Sequence, residues 1–122
     1  MSDAAAWVAV GMVGGAAAAA RFLIDAAVTA RSDHPFPLGI LAINIGGALA
    51  LGLVAGAALE GEALIVVAGG GIGSFTTFST WILDSHRLAE AGHTHLVWIN
   101  IGLALVAGFA AIALGHWLGQ QL

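Results

Sequence analysis

Charged residues divide the chain into four long apolar stretches, residues 4–20, 35–59, 63–83 and 96–122, none of which contains Asp, Glu, Lys or Arg. A bilayer core takes roughly 20 apolar residues as a helix, so each stretch with its flanks predicts a membrane-spanning helix. The predicted helices cover about 4–24, 37–59, 63–88 and 95–120. Most charges fall in the separators: Asp25, Arg31 and Asp33, then Glu60 and Glu62, then Arg87 and Glu90. The second separator is short enough for a tight turn. Pro35 and Pro37 suit the start of the second helix, where a missing N–H costs little.

The third stretch differs from the others in its middle, which reads GGGIGSFTTFSTW over residues 69–81. Four glycines followed by Thr76, Thr77, Ser79 and Thr80 lower helix propensity and offer hydroxyls that compete for backbone hydrogen bonds. The composition predicts a break in the helix. Unpaired backbone at membrane depth is tolerated only where protein, water or an ion satisfies it, which makes this stretch a candidate ion site.

With 122 residues, 60% of them hydrophobic, and a mean hydropathy of +0.99, the chain has too little polar surface for a soluble domain. It reads as one all-α integral membrane domain over residues 1–122. Seven acidic residues against three arginines and no lysine give a net charge of −4, which argues against nucleic acid and anionic lipid as partners. Cysteine is absent, so disulfides and thiol ligands are excluded. Met1, Ser2 and Asp3 lack the basic region of a signal peptide, so the first apolar stretch is expected to remain as a helix. Arg31 and Arg87 lie in the two loops that share a side, and Arg21 lies at the end of helix one nearest it. The positive-inside rule puts those loops in the cytoplasm and both termini outside, on a bias of only three charges. Such a chain can also insert either way, or opposite to a partner.

Glycine recurs at four-residue spacing as Gly11/Gly15, Gly52/Gly56, Gly69/Gly73 and Gly115/Gly119. Small residues at this spacing let helices approach closely in lipid, and predict tight packing that includes oligomer contacts.

Few residues carry chemistry. Asn44, in the middle of helix two, fits two uses: an uncharged anion ligand or a hydrogen-bonding tie between helices. Phe75, Phe78 and Trp81 recur every three residues and share one side if the chain is helical there. Their positive ring edges can line an anion's path, or they can simply pack. The hydroxyls of Ser79 and Thr80 can donate to an anion or bond back to their own helix. Arg21 and Asp84, at the ends of helices one and three, fit either a charged vestibule or interfacial anchors. His93 and His95 form an H-x-H without a third ligand in sequence, so they read as solvated rather than as a zinc site. No nucleophile motif, phosphate loop or carboxylate pair marks an enzyme.

Several segments together carry a resemblance. These are Gly14, Gly15 and Arg21-Phe22 in helix one, PLGILAIN from Pro37 to Asn44 with Ile45-Gly46 in helix two, and GIGSFTTFSTW from Gly71 to Trp81. Over nearly its whole length the chain resembles the Fluc (CrcB-type) fluoride channel family. The resemblance implies four transmembrane helices per subunit with a break in helix three. It also implies an antiparallel, dual-topology dimer in the cell membrane with two fluoride pores. A structural sodium ion at the dimer centre would be held by the backbone carbonyls of Gly73 and Thr76. Phe78 and Trp81 match the pore aromatics, Ser79 and Thr80 the helix-three hydroxyls, Asn44 the helix-two amide, and Asp84 the position of a family acidic residue.

Departures from the family pattern shape the expectation. Trp81 stands where Phe is usual, and its indole would narrow the pore or offer an N–H donor. Ile40 stands where a Thr is expected, Gly108 and Ile112 fall near positions that usually carry hydroxyls, and Ala17 replaces a glycine. The chain is therefore expected to be one half of a heterodimer completed by a paralogous subunit, mediating passive fluoride efflux. Two other classes compete: a non-conducting structural subunit, and a small proton-coupled drug exporter. The exporter needs a carboxylate within the membrane, typically in helix one, and residues 4–20 contain none.

Overall fold

Ser2 opens the first helix, α1 (Asp3–Arg31), by accepting the Ala5 N–H on its Oγ at 3.2 Å. The computed structural model describes residues 2–122. α1 continues to Arg31 instead of ending near residue 24 as the charges suggested. Asp25 does not stop a helix that runs on through Ala26 and Ala27. Arg31 in the last turn donates to the Ala27 carbonyl at 3.1 Å, where the helix dipole favours a cation.

After Pro37, α2 (Leu38–Gly56) begins. It stops before the expected residue 59 because Ala58 takes a positive φ of 54°. Gly61, at φ 64°, turns the chain into the third span. That span starts as α3 (Gly61–Leu64), widens into a π-helical stretch (Ile65–Ile72), and returns to a single turn, α4 (Gly73–Phe75). Thr76 then takes extended dihedral angles, φ −81° and ψ 159°, and α5 (Ser79–Glu90) follows. Gly92, at φ 83°, leads into α6 (Thr94–Gly119). Four helical spans, Asp3–Arg31, Leu38–Gly56, Gly61–Glu90 and Thr94–Gly119, are long and apolar enough to cross a membrane.

Two helix pairs form the bundle. α2 lies against α6 through the glycine ridges: a Cβ on Gly52 would run into the Ile112 carbonyl, and one on Gly115 into that of Leu49. Gly56 and Gly119 are equally close to the facing backbone. In the second pair, α1 crosses the π-helical stretch where a Cβ on Gly14 would lie 3.2 Å from the Gly70 carbonyl oxygen. Gly11 and Gly15 instead face open space. The buried core is thin, with Ile40, Ile43, Leu88, Leu96 and Ala111 as its apolar members. Trp7, Phe22, Val106, Phe109 and Trp117 are exposed, a surface suited to lipid rather than water.

Candidate functional site

Thr76 and Thr77 leave regular helical structure within the third span, and the site is built from what satisfies them. Thr76 stays tied to the helix it ends: its N–H and Oγ1 both donate to the Ile72 carbonyl, at 3.0 and 3.1 Å. Its Cγ2 occupies the space a side chain on Gly47 would need. Thr77 is held from across the bundle by Asn44. The Asn44 Nδ2 donates to the Thr77 carbonyl, and the Thr77 N–H donates to the Asn44 Oδ1, each at 2.9 Å. One amide thus replaces both hydrogen bonds that a helix would have supplied. The Thr77 Oγ1 in turn accepts the Thr80 N–H at 3.2 Å, donates to the Thr80 Oγ1 at 3.2 Å, and lies 3.4 Å from the Ser79 Oγ.

These residues open onto a cleft of about 250 Å³ lined by Asn44, Thr76, Thr77, Phe78, Trp81, Ala104 and Leu105. No charged side chain lines it. Its donors are weak and uncharged. Asn44 keeps a second Nδ2 hydrogen, and the backbone N–H groups of Phe78 and Trp81 meet no acceptor among the described residues. Phe78 is 72% exposed and meets Trp81 edge-on, with centroids 5.5 Å apart and planes at 74°.

The structure corrects two expectations about the aromatics. Phe75 does not share a side with Phe78 and Trp81; it lines a separate apolar cleft with Val13, Ala17 and Gly46. The extended Thr76 breaks the three-residue periodicity that would have aligned them. The Trp81 indole N–H is not free for an anion either, because it donates to the Asn100 main-chain carbonyl at 3.4 Å.

Asn100 and Ser85 were not singled out from the sequence. Asn100 is 1% exposed and donates through Nδ2 to the Ser85 Oγ at 2.9 Å, and Ser85 donates to the Trp81 carbonyl at 3.0 Å. The Asn100 Oδ1 has no hydrogen-bond partner among the described residues. The available signal is a single amide within the otherwise apolar first 20 residues of the 96–122 stretch.

Arg21 borders a cleft of about 200 Å³ with Phe22, Asp25, Ile40 and Thr80. Thr80 therefore links this cleft to the Thr77 site. Asp84 lies in a neighbouring cleft with Asp25 and Arg87, and Arg87 reaches it at 3.4 Å. The Asp25 carboxylate sits against Gly39 at the start of α2, where the helix dipole favours negative charge. No hydrogen bond from the described chain reaches the carbonyl oxygens of Gly73 or Thr76. His93 and His95 meet edge-on at the start of α6, 6.5 Å apart.

Residues 8–116 match the family described as CrcB-like protein, Camphor Resistance (CrcB). The chain is 41% identical over 120 residues to the Fluoride-specific ion channel FluC 2 of Mycolicibacterium paratuberculosis, an alignment covering 98% of each chain. Symbiobacterium thermophilum has two relatives. Its FluC 1 is 40% identical over 119 residues, covering 93% of this chain and 96% of the relative. Its FluC 2 is 44% identical over 115 residues, covering 89% and 90%.

Proposed function

From its membership of the CrcB family, we propose that this multi-pass membrane chain is a subunit of a fluoride-specific ion channel, conducting fluoride passively and lowering its concentration in the cytoplasm. The observation that carries this reading is the cleft at Thr76–Phe78, where an amide, hydroxyls, free backbone N–H groups and aromatic edges meet without a cation. A small, strongly hydrated anion needs several weak donors in place of its water; one strong charge would hold it too tightly to conduct. Asn44, Phe78, Ser79, Thr80 and Trp81 form the path, and Arg21 and Asp84 flank its vestibule.

The working unit is an antiparallel dimer, with a paralogous chain as the second half. Occurrence of a FluC 1 and a FluC 2 in one organism among the relatives supports such a pairing. So does the engagement of Trp81 by α6 and the apolar Ile40 beside Arg21. A sodium ion fits the interruption of the third span. The Gly73 and Thr76 carbonyls are oxygen donors without hydrogen bonds, the chemistry a hard cation prefers. Its charge would satisfy carbonyls that lipid cannot.

Fluoride efflux from liposomes tests the reading, with the purified chain alone and then co-purified with a paralogue from the same genome. Flux in either preparation, abolished by Phe78→Ile, is the expected result. Silence in both, with folded protein demonstrated, rejects the channel assignment. A second reading, a non-conducting partner, is favoured by the engaged Trp81 N–H. It requires that Ile40→Thr and Trp81→Phe leave the flux of the assembled pair unchanged.

A further inference from the structure

Trp81, Ser85 and Asn100 form a closed circuit of three hydrogen bonds. The indole Nε1–H donates to the Asn100 carbonyl at 3.4 Å, the Asn100 Nδ2 to the Ser85 Oγ at 2.9 Å, and the Ser85 Oγ to the Trp81 carbonyl at 3.0 Å. Each residue donates once and accepts once. The circuit joins α5 to α6 and lies behind the wall of the candidate site, since Trp81 is also a lining residue and the edge-on neighbour of Phe78. Both polar side chains are buried, Ser85 at 5% and Asn100 at 1% exposure.

A phenyl ring at position 81 has no N–H and cannot close such a circuit. The geometry points to Asn100 and Ser85 as positioning residues that fix the Trp81 ring, and through it the Phe78 edge, at the fluoride path; the inference rests on the channel reading above. Neither residue touches the anion. They act by removing the freedom of a large ring that would otherwise swing across a narrow passage. The Asn100 Oδ1, buried without a partner, fits a residue kept for this placement. An apolar side chain there would be the easier one to bury.

The test uses the full chain in whichever assembly conducts fluoride, with Trp7, Trp98 and Trp117 replaced by Phe so that one indole remains. Two quantities are read for Ser85→Ala, Asn100→Leu and Ser85→Thr: the ¹⁵N-indole N–H resonance of Trp81 with its exchange rate, and the initial fluoride efflux rate. Ser85→Ala and Asn100→Leu are expected to shift the resonance, speed its exchange and lower efflux several-fold. Ser85→Thr, which keeps the hydroxyl, restores both. In a Trp81→Phe background Ser85→Ala has little further effect on efflux, because the circuit is already open. An indole signal unmoved by both substitutions overturns the proposal, and so does a moved signal with efflux as in the parent or additive effects in the double variant. If the unsubstituted chain is silent both alone and with its paralogue, the channel reading fails, while the indole signal still decides whether the circuit exists.

Discussion

Asn44 shows how one side chain serves structure and chemistry together. Its amide takes both the N–H and the carbonyl of Thr77, groups that lipid cannot satisfy. Asn44→Leu leaves both unpaired, and thermal unfolding in detergent should show a loss of about 1–3 kcal/mol. Asn44→Asp keeps the acceptor for the Thr77 N–H but loses the donor to its carbonyl. It should cost less stability than Asn44→Leu while placing a negative charge beside the proposed fluoride path, so efflux should fall at least as far. If stability and efflux instead fall in parallel across the two variants, Asn44 is only a tie. The sequence offered the tie and the ligand as alternatives, because an amide in an apolar helix reads the same for either. The structure shows the tie and leaves a donor hydrogen for the other use.

Helix packing separates glycines that looked equivalent along the chain. Gly52 and Gly115 sit where a Cβ would enter the facing backbone, whereas Gly11 and Gly15 meet nothing. Gly52→Leu should force α2 from α6 and cost about 1–3 kcal/mol or more by overpacking. Gly11→Leu should leave the fold of the single chain intact, and a sedimentation or light-scattering measurement would then report any effect on assembly. Equal destabilisation by both would contradict this division of the bundle. Four spans were legible because charge interrupts an otherwise apolar chain at regular intervals. The length of α1 was not, since alanines carry a helix past Asp25. The buried circuit of Ser85 and Asn100 was also missed: a serine four residues after a tryptophan becomes significant only when another helix brings an amide beside it.

At the scale of the molecule, three arginines and no lysine give the four spans only a weak topological bias. Arg21 and Asp84 border adjoining clefts that share Asp25, and Arg87 lines the second, so Arg21 and Arg87 lie at the same end. The turn around Glu60, at the other end, has no arginine or lysine. Glu60→Arg should therefore shift the population of orientations. The chain has no cysteine, so a single Gln121→Cys reports orientation through labelling by a membrane-impermeant maleimide. An antiparallel pair of identical chains labels from both faces, and a chain that pairs with an opposite paralogue labels from one. In the second case Glu60→Arg should abolish co-purification of the paralogue and with it fluoride flux.

The π-helical stretch sets the phase of everything beyond it. An α-helix turns about 100° per residue, and the wider winding over Ile65–Ile72 alters the angular count at which Phe75, Thr76 and Thr77 arrive. Glycines 69–71 thus act as a timing element: they decide which way Thr77 faces when it reaches Asn44. A chain shorter by one of them would keep every residue of the site and present Thr77 about a quarter-turn out of step.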